Sequence, residues 1–397
     1  MSFTEKDAQF MRQAFELARR GTSLTSPGAR VGAVIVDAQG NVAGNGFYTF
    51  DGIKHAEILA LEQAGTRARG GTIYLNLEPH CHQGRTPPCT DALIAAGIKR
   101  VVAAMADPNP HVAGKGFEQL RAAGLEVATG LLEPEARRLN EAFAKYIRTH
   151  QPLITVKSGM TLDGKIAPPP EPATPSRSVL SATWPAGAWI TSAEARAHVQ
   201  ELRHESDAIM VGVGTVLADD PLLTDRTGLP RRRPLLRVVL DSRLRLPLES
   251  RLVKTAQSDL LVFCSFAEEK KKKLLEERGV RVEQVPLGSS DGRPDLKKIV
   301  DRLGELEMTS LMIEGGALLN WAALFEEIVD KVFLYYAPSI LGGGGLAGES
   351  SVPFASGPGY QRINEATRVK NIVIHRFGED FAVEGYVRDP YAFEENS

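Results

Sequence analysis

A histidine, a glutamate and a later group of histidines and cysteines have the types and spacing of a zinc-dependent hydrolytic site. His55 and Glu57 lie two residues apart, and Pro-His-Cys-His at 79–82 is followed by Pro-Pro-Cys at 87–89. A catalytic zinc binds three protein ligands and keeps its fourth position for a water whose pKa falls towards neutrality. A glutamate that does not bind the metal can carry protons from that water to a leaving amine. This pattern predicts a zinc-dependent deaminase.

Alternating helices and strands are predicted to position these residues. Helices are expected at 4–20, 55–64, 90–96 and 116–123, and strands at 30–36, 42–48, 72–77 and 100–105. The helix at 55–64 is expected to carry both His55 and Glu57, and the strand at 72–77 to end just before His80 and Cys81. Such alternation predicts an α/β sandwich around a mostly parallel sheet.

A second α/β series follows a charged amphipathic helix predicted at 132–149. We place a domain boundary after that helix, which gives domains at 1–149 and 150–397. The proline-rich stretch 168–188 is expected to form an exposed loop near a site. A lysine-rich helix at 268–278 is expected to face solvent. Strands are expected at 153–158, 207–213, 237–241, 260–265, 280–285, 310–313 and 331–337.

Composition and charge narrow the function class. The 397 residues are 43% hydrophobic and 24% charged, as in globular proteins, and their number predicts two or three domains. The net charge of −2 gives no electrostatic case for a nucleic-acid or membrane partner. Three cysteines, two of them in the metal-like group, predict no disulfide framework. The sequence shows neither a signal peptide nor a membrane span, so a cytoplasmic protein is expected.

Taken together, these motifs resemble the bifunctional riboflavin-biosynthesis deaminase–reductases of bacteria. The resemblance covers the chain from the first predicted helix to about Val387. The motifs that carry it lie at 31–36 (Val-Gly-Ala-Val-Ile-Val), 55–57, 77–79 (Leu-Glu-Pro), 84–89 (Gly-Arg-Thr-Pro-Pro-Cys), 107–110, 162–167, 189–191, 211–215, 219–221 and 313–317 (Ile-Glu-Gly-Gly-Ala).

The resemblance implies a fold, two reactions and two cofactors. It implies a cytidine-deaminase-like α/β/α sandwich followed by an α/β domain similar to dihydrofolate reductase. The first domain is expected to use Zn²⁺ to deaminate 2,5-diamino-6-ribosylamino-4(3H)-pyrimidinone 5′-phosphate. The second is expected to use NADPH to reduce the ribosyl group to ribityl. The expected partner is thus a small phosphorylated pyrimidine, with no nucleic acid and no membrane, and the family's habit implies a homo-oligomer, a dimer or a tetramer.

Site residues follow from the same resemblance, position by position. Glu57 matches the proton shuttle, and Lys157 and Asp163 match catalytic positions of the reductase. Positions that contact substrate are matched by Arg85, Asp107, Asn109, Arg203, Leu223, Arg226 and Glu314. Positions that contact NADPH are matched by Gly159, Trp189, Thr215, Asp219, Ser242, Gly315, Gly316 and Ala317.

Three positions of the deaminase half depart from the family pattern. His80 stands where the family has a zinc-binding cysteine, so the ligand set is His55, His80 and Cys89, with Cys81 as the alternative to His80. Gly28 replaces an asparagine thought to contact the pyrimidine, and Tyr48 replaces a histidine. A second hypothesis is therefore a reductase whose deaminase half is impaired or has another substrate. A third is a scaffold that binds a nucleotide-like ligand.

Overall fold

The structure is a computed structural model that describes residues 3–168, 189–288, 292–343 and 351–392. The strands form a five-stranded sheet in an N-terminal domain and a nine-stranded sheet in a C-terminal domain, with two further short strands paired to each other. Both domains are α/β, as predicted. The predicted loop at 168–188 lies outside the described residues, except for Pro168. Within the described ranges, no helix is long and apolar enough to cross a membrane.

The N-terminal domain alternates helices and strands, mostly within one or two residues of the predicted ends. In chain order its elements are α1 Glu5–Arg19, β1 Gly32–Val36, β2 Val42–Phe47, α2 Ala56–Ala64, β3 Thr72–Leu75, α3 Cys89–Ala95, β4 Arg100–Ala103, α4 Lys115–Ala122, β5 Glu126–Thr129, α5 Glu133–Leu139 and α6 Glu141–Thr149.

The N-terminal sheet is mixed, so the prediction of a mostly parallel sheet was wrong for this domain. Its strand order is β2-β1-β3-β4-β5. β1 is antiparallel to both neighbours, whereas β3, β4 and β5 are parallel. A tight turn at 37–41 forces β1 and β2 to run antiparallel, because parallel strands need a long crossover. The strand β5 had not been predicted.

Alternating side chains of this sheet feed two separate cores, which makes the domain a three-layer sandwich as predicted. Val34 and Val102 pack with Met11 and Phe15 of α1 on one face. On the other face, residues such as Ile35 pack with α2, α3 and α4. Successive strand residues point to opposite faces, so both faces are covered by helices.

The helix predicted at 132–149 is two helices, α5 and α6, which meet at Asn140. The Asn140 side chain accepts a hydrogen bond from the backbone N–H of Arg30 at 2.8 Å and donates one to its carbonyl at 3.1 Å. Asparagine readily bonds backbone groups outside a helix. This contact with the segment before β1 accounts for the break, and periodicity alone does not reveal it.

The C-terminal domain is larger and contains all the strands predicted for it. Its elements are β6 Leu153–Thr161, β7 Lys165–Ala167, α7 Ala193–Glu205, β8 Ala208–Gly212, α8 Val213–Asp219, β9 Leu236–Leu240, α9 Arg251–Lys254, β10 Leu260–Cys264, α10 Glu269–Glu276, β11 Val280–Gln284, α11 Leu296–Glu305, β12 Ser310–Ile313, α12 Ala317–Phe325, β13 Lys331–Ala337, β14 Val352–Pro353, β15 Lys370–Phe377 and β16 Asp380–Tyr386.

Most pairings of the C-terminal sheet are parallel. The order is β11-β10-β9-β8-β12-β6-β13-β16-β15, and the antiparallel pairings among the described strands are β13 with β16 and β16 with β15. Parallel strands bring their carboxyl ends to one edge, which is where ligands bind in open α/β sheets. Glu314 follows β12 directly, and Ser242 lies two residues after β9. The topology therefore gathers several predicted site residues along one edge.

Buried ion pairs join the two domains. Lys145 of α6 contacts Asp330, whose side chain is 3% exposed and also accepts the backbone N–H of Ile154 at 2.8 Å. Lys331 lies between Glu141 of α6 at 2.6 Å and Glu384 of β16 at 2.8 Å. The last helix of the first domain is thereby fixed against the second sheet.

This interface predicts a large stability effect for Asp330→Asn. Removing one charge of a buried pair leaves its partner uncompensated and costs about 3 kcal/mol or more. We expect the free energy of unfolding in urea to fall by about that amount. The matched control is Glu249→Gln, because Glu249 pairs with Lys254 on the surface and such pairs contribute about 0–1 kcal/mol. Equal effects of the two substitutions contradict the prediction.

Candidate functional site

Three potential metal ligands converge in the N-terminal domain. Ligand atoms of His55, His80 and Cys89 all lie within 4.8 Å of one another. Nδ1 of His55 is 3.2 Å from Sγ of Cys89. Tetrahedral zinc bonds to nitrogen and sulfur place such donors about 3.5 Å apart. This triad of His55, His80 and Cys89 therefore has the donor types and the spacing of a zinc site.

Each member of the triad stands at the end of an element. His55 is the N-cap of α2, so it precedes the helix rather than lying inside it as predicted, and its side chain does not cap the helix. Cys89 is the first residue of α3. Burial and the nearby Glu57 raise the pKa of its thiol, so zinc binding would have to displace the thiol proton. His80 follows β3, and its carbonyl accepts the backbone N–H of Thr90 in α3 at 3.2 Å.

The unmet hydrogen-bonding capacity of His80 also fits a metal. Its Nδ1 is buried and has no hydrogen-bond partner among the described residues. Burial and the neighbouring His82 and His55 lower the pKa of His80 to about 4, so the ring is neutral near pH 7. A buried polar atom without a partner costs about 1–3 kcal/mol. A bound zinc ion removes that cost, because a neutral imidazole nitrogen is a zinc ligand.

Glu57 lies beside the triad and outside its set of ligand atoms. It is in the first turn of α2 and is 3% exposed. Its carboxyl group lies near the Cys89 side chain and the backbone of His80. Burial raises the pKa of Glu57, although the nearby His55 opposes this shift. The arrangement places a carboxyl group where it can exchange protons with a group at the metal position.

Cys81, the alternative ligand, points elsewhere. It does not belong to the triad and lines a surface pocket of about 410 Å³ with residues that include Asn109 and Lys115. Asn109 is held by Asp107, whose Oδ1 accepts its backbone N–H at 2.8 Å. Burial raises the pKa of Asp107 to about 6. Two predicted substrate residues, Asp107 and Asn109, are thus close together in a loop at this pocket.

Glu78 organises the same loop, a role that sequence reasoning missed. Its buried carboxylate accepts four backbone N–H groups, from Asp107 at 3.0 Å, Gly114 at 2.9 Å, Gly116 at 2.8 Å and Phe117 at 3.3 Å. A Cβ at Gly116 would lie 2.4 Å from the carbonyl oxygen of Pro79. The Leu-Glu-Pro motif was a signal for this role, but it gives no hint that the acceptor serves a segment 29 to 39 residues later.

Two of the departures from the family pattern fit each other in space. The ring of Tyr48 lies edge-on to that of His55, with 5.4 Å between centroids. A Cβ at Gly28 would lie 3.1 Å from Cε1 of Tyr48 and 3.1 Å from the carbonyl oxygen of Thr25. The missing side chain at position 28 therefore provides room for the larger ring at position 48. The guanidinium of Arg85, another predicted substrate residue, lies over the ring of Phe50 at 4.2 Å.

A second group of charged residues lies in the C-terminal domain around Glu314. Its carboxylate accepts hydrogen bonds from Arg203 at 2.7 and 3.0 Å and from Lys157 at 3.3 Å. Burial raises the pKa of Glu314, but the two cations outweigh it and lower the pKa to about 2. Three nitrogens of Arg203 are engaged, including one with the carbonyl of Thr224 at 3.0 Å. Two of its five N–H groups remain for an anion.

Asp163 is held at the turn after β6, apart from that group. The hydroxyl of Thr161 donates to its carboxylate at 2.6 Å, and the backbone N–H groups of Leu341 and Gly342 donate at 3.1 and 2.8 Å. These hydrogen bonds, first that of Thr161, lower the pKa of Asp163 to about 2. The structure therefore brings Lys157 and Glu314 together but shows no contact between Asp163 and either of them.

Several predicted cofactor residues surround the start of α12. Gly316 is its N-cap, Ala317 is its first residue, and a Cβ at Gly315 would lie 2.9 Å from Oδ1 of Asn320. A Cβ at Gly316 would be 3.7 Å from Oγ1 of Thr215, at the start of α8. Glycines and free N–H groups at a helix start suit a phosphate.

The remaining predicted residues are more scattered. Gly159 faces Thr191, two residues beyond the exposed Trp189. Asp219 ends α8, Leu223 is buried, and Arg226 bonds Gln200. Ser242 lies next to Arg243, which lines a cavity of about 540 Å³ together with Phe266 and Gln284.

Comparisons with known proteins match both halves of the chain. Residues 4–105 match the family model described as cytidine and deoxycytidylate deaminase zinc-binding region, and residues 152–382 match the RibD C-terminal domain. Riboflavin biosynthesis protein RibD of Actinobacillus pleuropneumoniae is 40% identical over 98% of this chain and 97% of its own. That of Aquifex aeolicus is 40% identical over 96% and 98%.

Solved structures also resemble this chain over nearly its full length. Acinetobacter baumannii RibD has a TM-score of 0.78 and 33% identity, covering 96% of this chain and 99% of its own. The Thermotoga maritima structure is described as a diaminohydroxyphosphoribosylaminopyrimidine deaminase/5-amino-6-(5-phosphoribosylamino)uracil reductase. It has a TM-score of 0.76 and 31% identity, covering 96% and 98%.

The geometry predicts different effects of His80→Ala and Cys81→Ser on zinc content. Removing one of three ligands should lower zinc affinity by at least about 100-fold, so purified His80→Ala should lose zinc in a mild chelator. Cys81→Ser should keep close to one zinc per chain, since Cys81 lies outside the triad. Elemental analysis after dialysis measures both. Zinc loss in Cys81→Ser with retention in His80→Ala reverses the assignment.

Proposed function

The chain belongs to the RibD family of riboflavin-biosynthesis proteins, and from this premise we propose which residues carry its two reactions. Its members are bifunctional deaminase–reductases, and this chain has both domains. The alternatives of a reductase without a working deaminase and of a non-enzymatic scaffold find no support in these comparisons. The protein is a zinc-dependent deaminase and an NADPH-dependent reductase of riboflavin biosynthesis.

The substrate we propose for the first reaction is 2,5-diamino-6-ribosylamino-4(3H)-pyrimidinone 5′-phosphate. The Thermotoga maritima relative is described as a deaminase of a diaminohydroxyphosphoribosylaminopyrimidine, which is the same class of molecule. Arg85, Asp107 and Asn109 offer a cation, an acceptor and an amide, and Asn109 lines the pocket that also contains Cys81, the residue after His80. A phosphorylated aminopyrimidine needs these three kinds of partner.

The observation that carries the deaminase assignment is a buried carboxyl group, that of Glu57, beside three side chains that could bind zinc. His55, His80 and Cys89 hold the zinc, and Glu57 is the proton shuttle. A zinc ion held by these three residues would supply a polarised water for attack on the carbon that carries the amine. Glu57 takes the proton of that water and delivers it to the departing nitrogen, which its place against His80 and Cys89 permits. The buried surroundings keep bulk water from competing for this proton.

In the reductase site, Glu314 connects a residue assigned to catalysis, Lys157, with a residue assigned to the substrate phosphate, Arg203. We assign Lys157 and Asp163 to catalysis, and Arg203, Leu223 and Arg226 to the ribose phosphate. Because Glu314 pairs with both Lys157 and Arg203, it fixes the distance between the reacting end and the phosphate end of the substrate. NADPH supplies the hydride for the ribosyl carbon. We assign the residues that match NADPH-contacting positions to binding of that cofactor: Gly159, Trp189, Thr215, Asp219, Ser242, Gly315, Gly316 and Ala317.

Three further assignments belong to the proposal. We place the domain boundary after Thr149, because α6 ends there and β6 begins at Leu153. We expect a homo-oligomer, since β15 is an edge strand of the large sheet that exposes Ile372 and Ile374 and exposed apolar edges tend to pair. We place the enzyme in the cytoplasm, where a reducing environment keeps Cys89 from being oxidised.

The test of the deaminase half is ammonia release by Glu57→Gln. An amide cannot shuttle protons, so kcat for deamination should fall by at least about 100-fold. Zinc content should stay near one per chain, because Glu57 lies outside the triad. The control is NADPH oxidation on the deaminated substrate, which should be unchanged. Wild-type protein that holds zinc and releases no ammonia contradicts the assignment.

Glu314→Gln tests the reductase half. A neutral amide leaves Lys157 and Arg203 without their buried counter-charge, and we expect kcat/KM for NADPH-dependent reduction to fall about 10- to 100-fold. Ammonia release should stay at the wild-type rate. The matched control is Glu305→Gln, whose partner Arg302 lies on the surface. If Glu314→Gln reduces the substrate as fast as this control, the proposed role of Glu314 is wrong.

A further inference from the structure

Three consecutive arginines, Arg231, Arg232 and Arg233, form an arginine segment between the two sites. Arg231 faces the C-terminal domain: it donates to the carbonyls of Arg203 and His204 at 3.1 and 2.8 Å. It also pairs with Asp225 at 3.2 Å. These residues flank the proposed phosphate site of the reductase, so the segment is fixed at that end.

Arg232 turns the other way and binds the N-terminal domain. Its Nε donates to Asp51 at 2.9 Å and its Nη1 to the carbonyl of Ser26 at 2.9 Å. Its backbone N–H donates to the carbonyl of Ser23 at 3.0 Å. One residue of the C-terminal domain thus ties together two loops of the deaminase domain, the loop before β1 and the loop after β2.

The same guanidinium lies over an aromatic ring that Arg85 also uses. Cζ of Arg232 is 3.8 Å from the ring centroid of Phe50, and Cζ of Arg85 is 4.2 Å from it. Among the described residues no carboxylate pairs with Arg85, and its guanidinium rests on the ring of Phe50. The face of an aromatic ring attracts a guanidinium. The position of Phe50 therefore influences where Arg85 rests.

We propose that Arg232 is a positioning residue for the deaminase centre: through Phe50 and the two loops it holds Arg85 over the substrate, so the C-terminal domain completes the N-terminal active site. The proposal rests on the deaminase function given above. Loss of Arg232 frees the loops and the ring, and Arg85 then samples positions away from the substrate. The substrate binds less tightly, while the proton chemistry of Glu57 is preserved.

The kinetics of Arg232→Ala test this directly. We expect KM for the diaminopyrimidine substrate to rise about 3- to 10-fold, with kcat for ammonia release within about 2-fold of wild type. NADPH-dependent reduction of the deaminated substrate and zinc content should not change. Arg232→Lys should recover only part of the loss, because lysine keeps the positive charge but lacks the planar fork of donors with which Arg232 bonds Asp51 and Ser26.

The matched control is Arg233→Ala. Arg233 also binds the loop before β1, where its Nη2 donates to Oγ of Ser26 at 2.9 Å. Unlike Arg232, it does not lie over the ring of Phe50. A general loosening of the domain contact should raise KM equally in both variants, and that result overturns the proposal. An unchanged KM in Arg232→Ala also overturns it. A wild-type enzyme that releases no ammonia overturns the deaminase function, and the proposal with it.

A double-mutant cycle with Phe50→Leu tests the route through the ring. If Arg232 acts through Phe50, the double variant should have nearly the same KM as Phe50→Leu alone. Effects that multiply independently exclude this route. Because the cycle compares folded variants by KM at constant zinc content, it remains informative even where one variant is less stable.

Discussion

The ion pairs between α6 and the C-terminal sheet determine how the two active sites are arranged. Lys145 with Asp330, and Lys331 with Glu141 and Glu384, are buried, so neither domain can shift without separating charges in a medium of low dielectric constant. A buried pair adds little net stability, because desolvation offsets its attraction, but separating its charges is costly. A fixed arrangement is what allows the arginine segment to reach the loops around the triad of His55, His80 and Cys89.

The deaminase centre depends on this rigidity because its parts come from separate elements. The triad uses the residue before α2, the segment after β3 and the first residue of α3. α2 can lie against β2 only because Gly44 and Gly46 have no side chains: a Cβ would lie 2.2 Å and 2.6 Å from carbonyl oxygens of the helix. Glu78 fixes the loop on the other side by accepting four backbone N–H groups. Ligand spacing of this kind is set by backbone packing as much as by the ligands.

Sequence patterns predicted the elements whose positions depend on local residues. They missed the features that depend on contacts between residues far apart in the chain. Strands such as β12 and β13 were predicted to the residue, because apolar runs bounded by polar segments indicate buried strands. The break at Asn140 was missed because its cause is Arg30, 110 residues away. Glu78, Phe50 and Arg232 were not singled out for the same reason. Arg232 and Asp51 are separated by 181 residues, and no pattern in one sequence links them.

The departures from the family pattern at positions 28 and 48 show why substitutions should be judged from the contacts that the residues make in the structure. Taken singly, glycine for asparagine removes a hydrogen-bonding group and tyrosine for histidine changes another, which was the reason for the alternative hypothesis of an impaired deaminase. A Cβ at position 28 would lie 3.1 Å from Cε1 of Tyr48, so the glycine relieves crowding beside the tyrosine ring. Burial raises the pKa of Tyr48, and its hydroxyl therefore stays protonated as a donor. A paired replacement keeps the pocket filled and keeps a polar group beside His55, which is consistent with a working deaminase half.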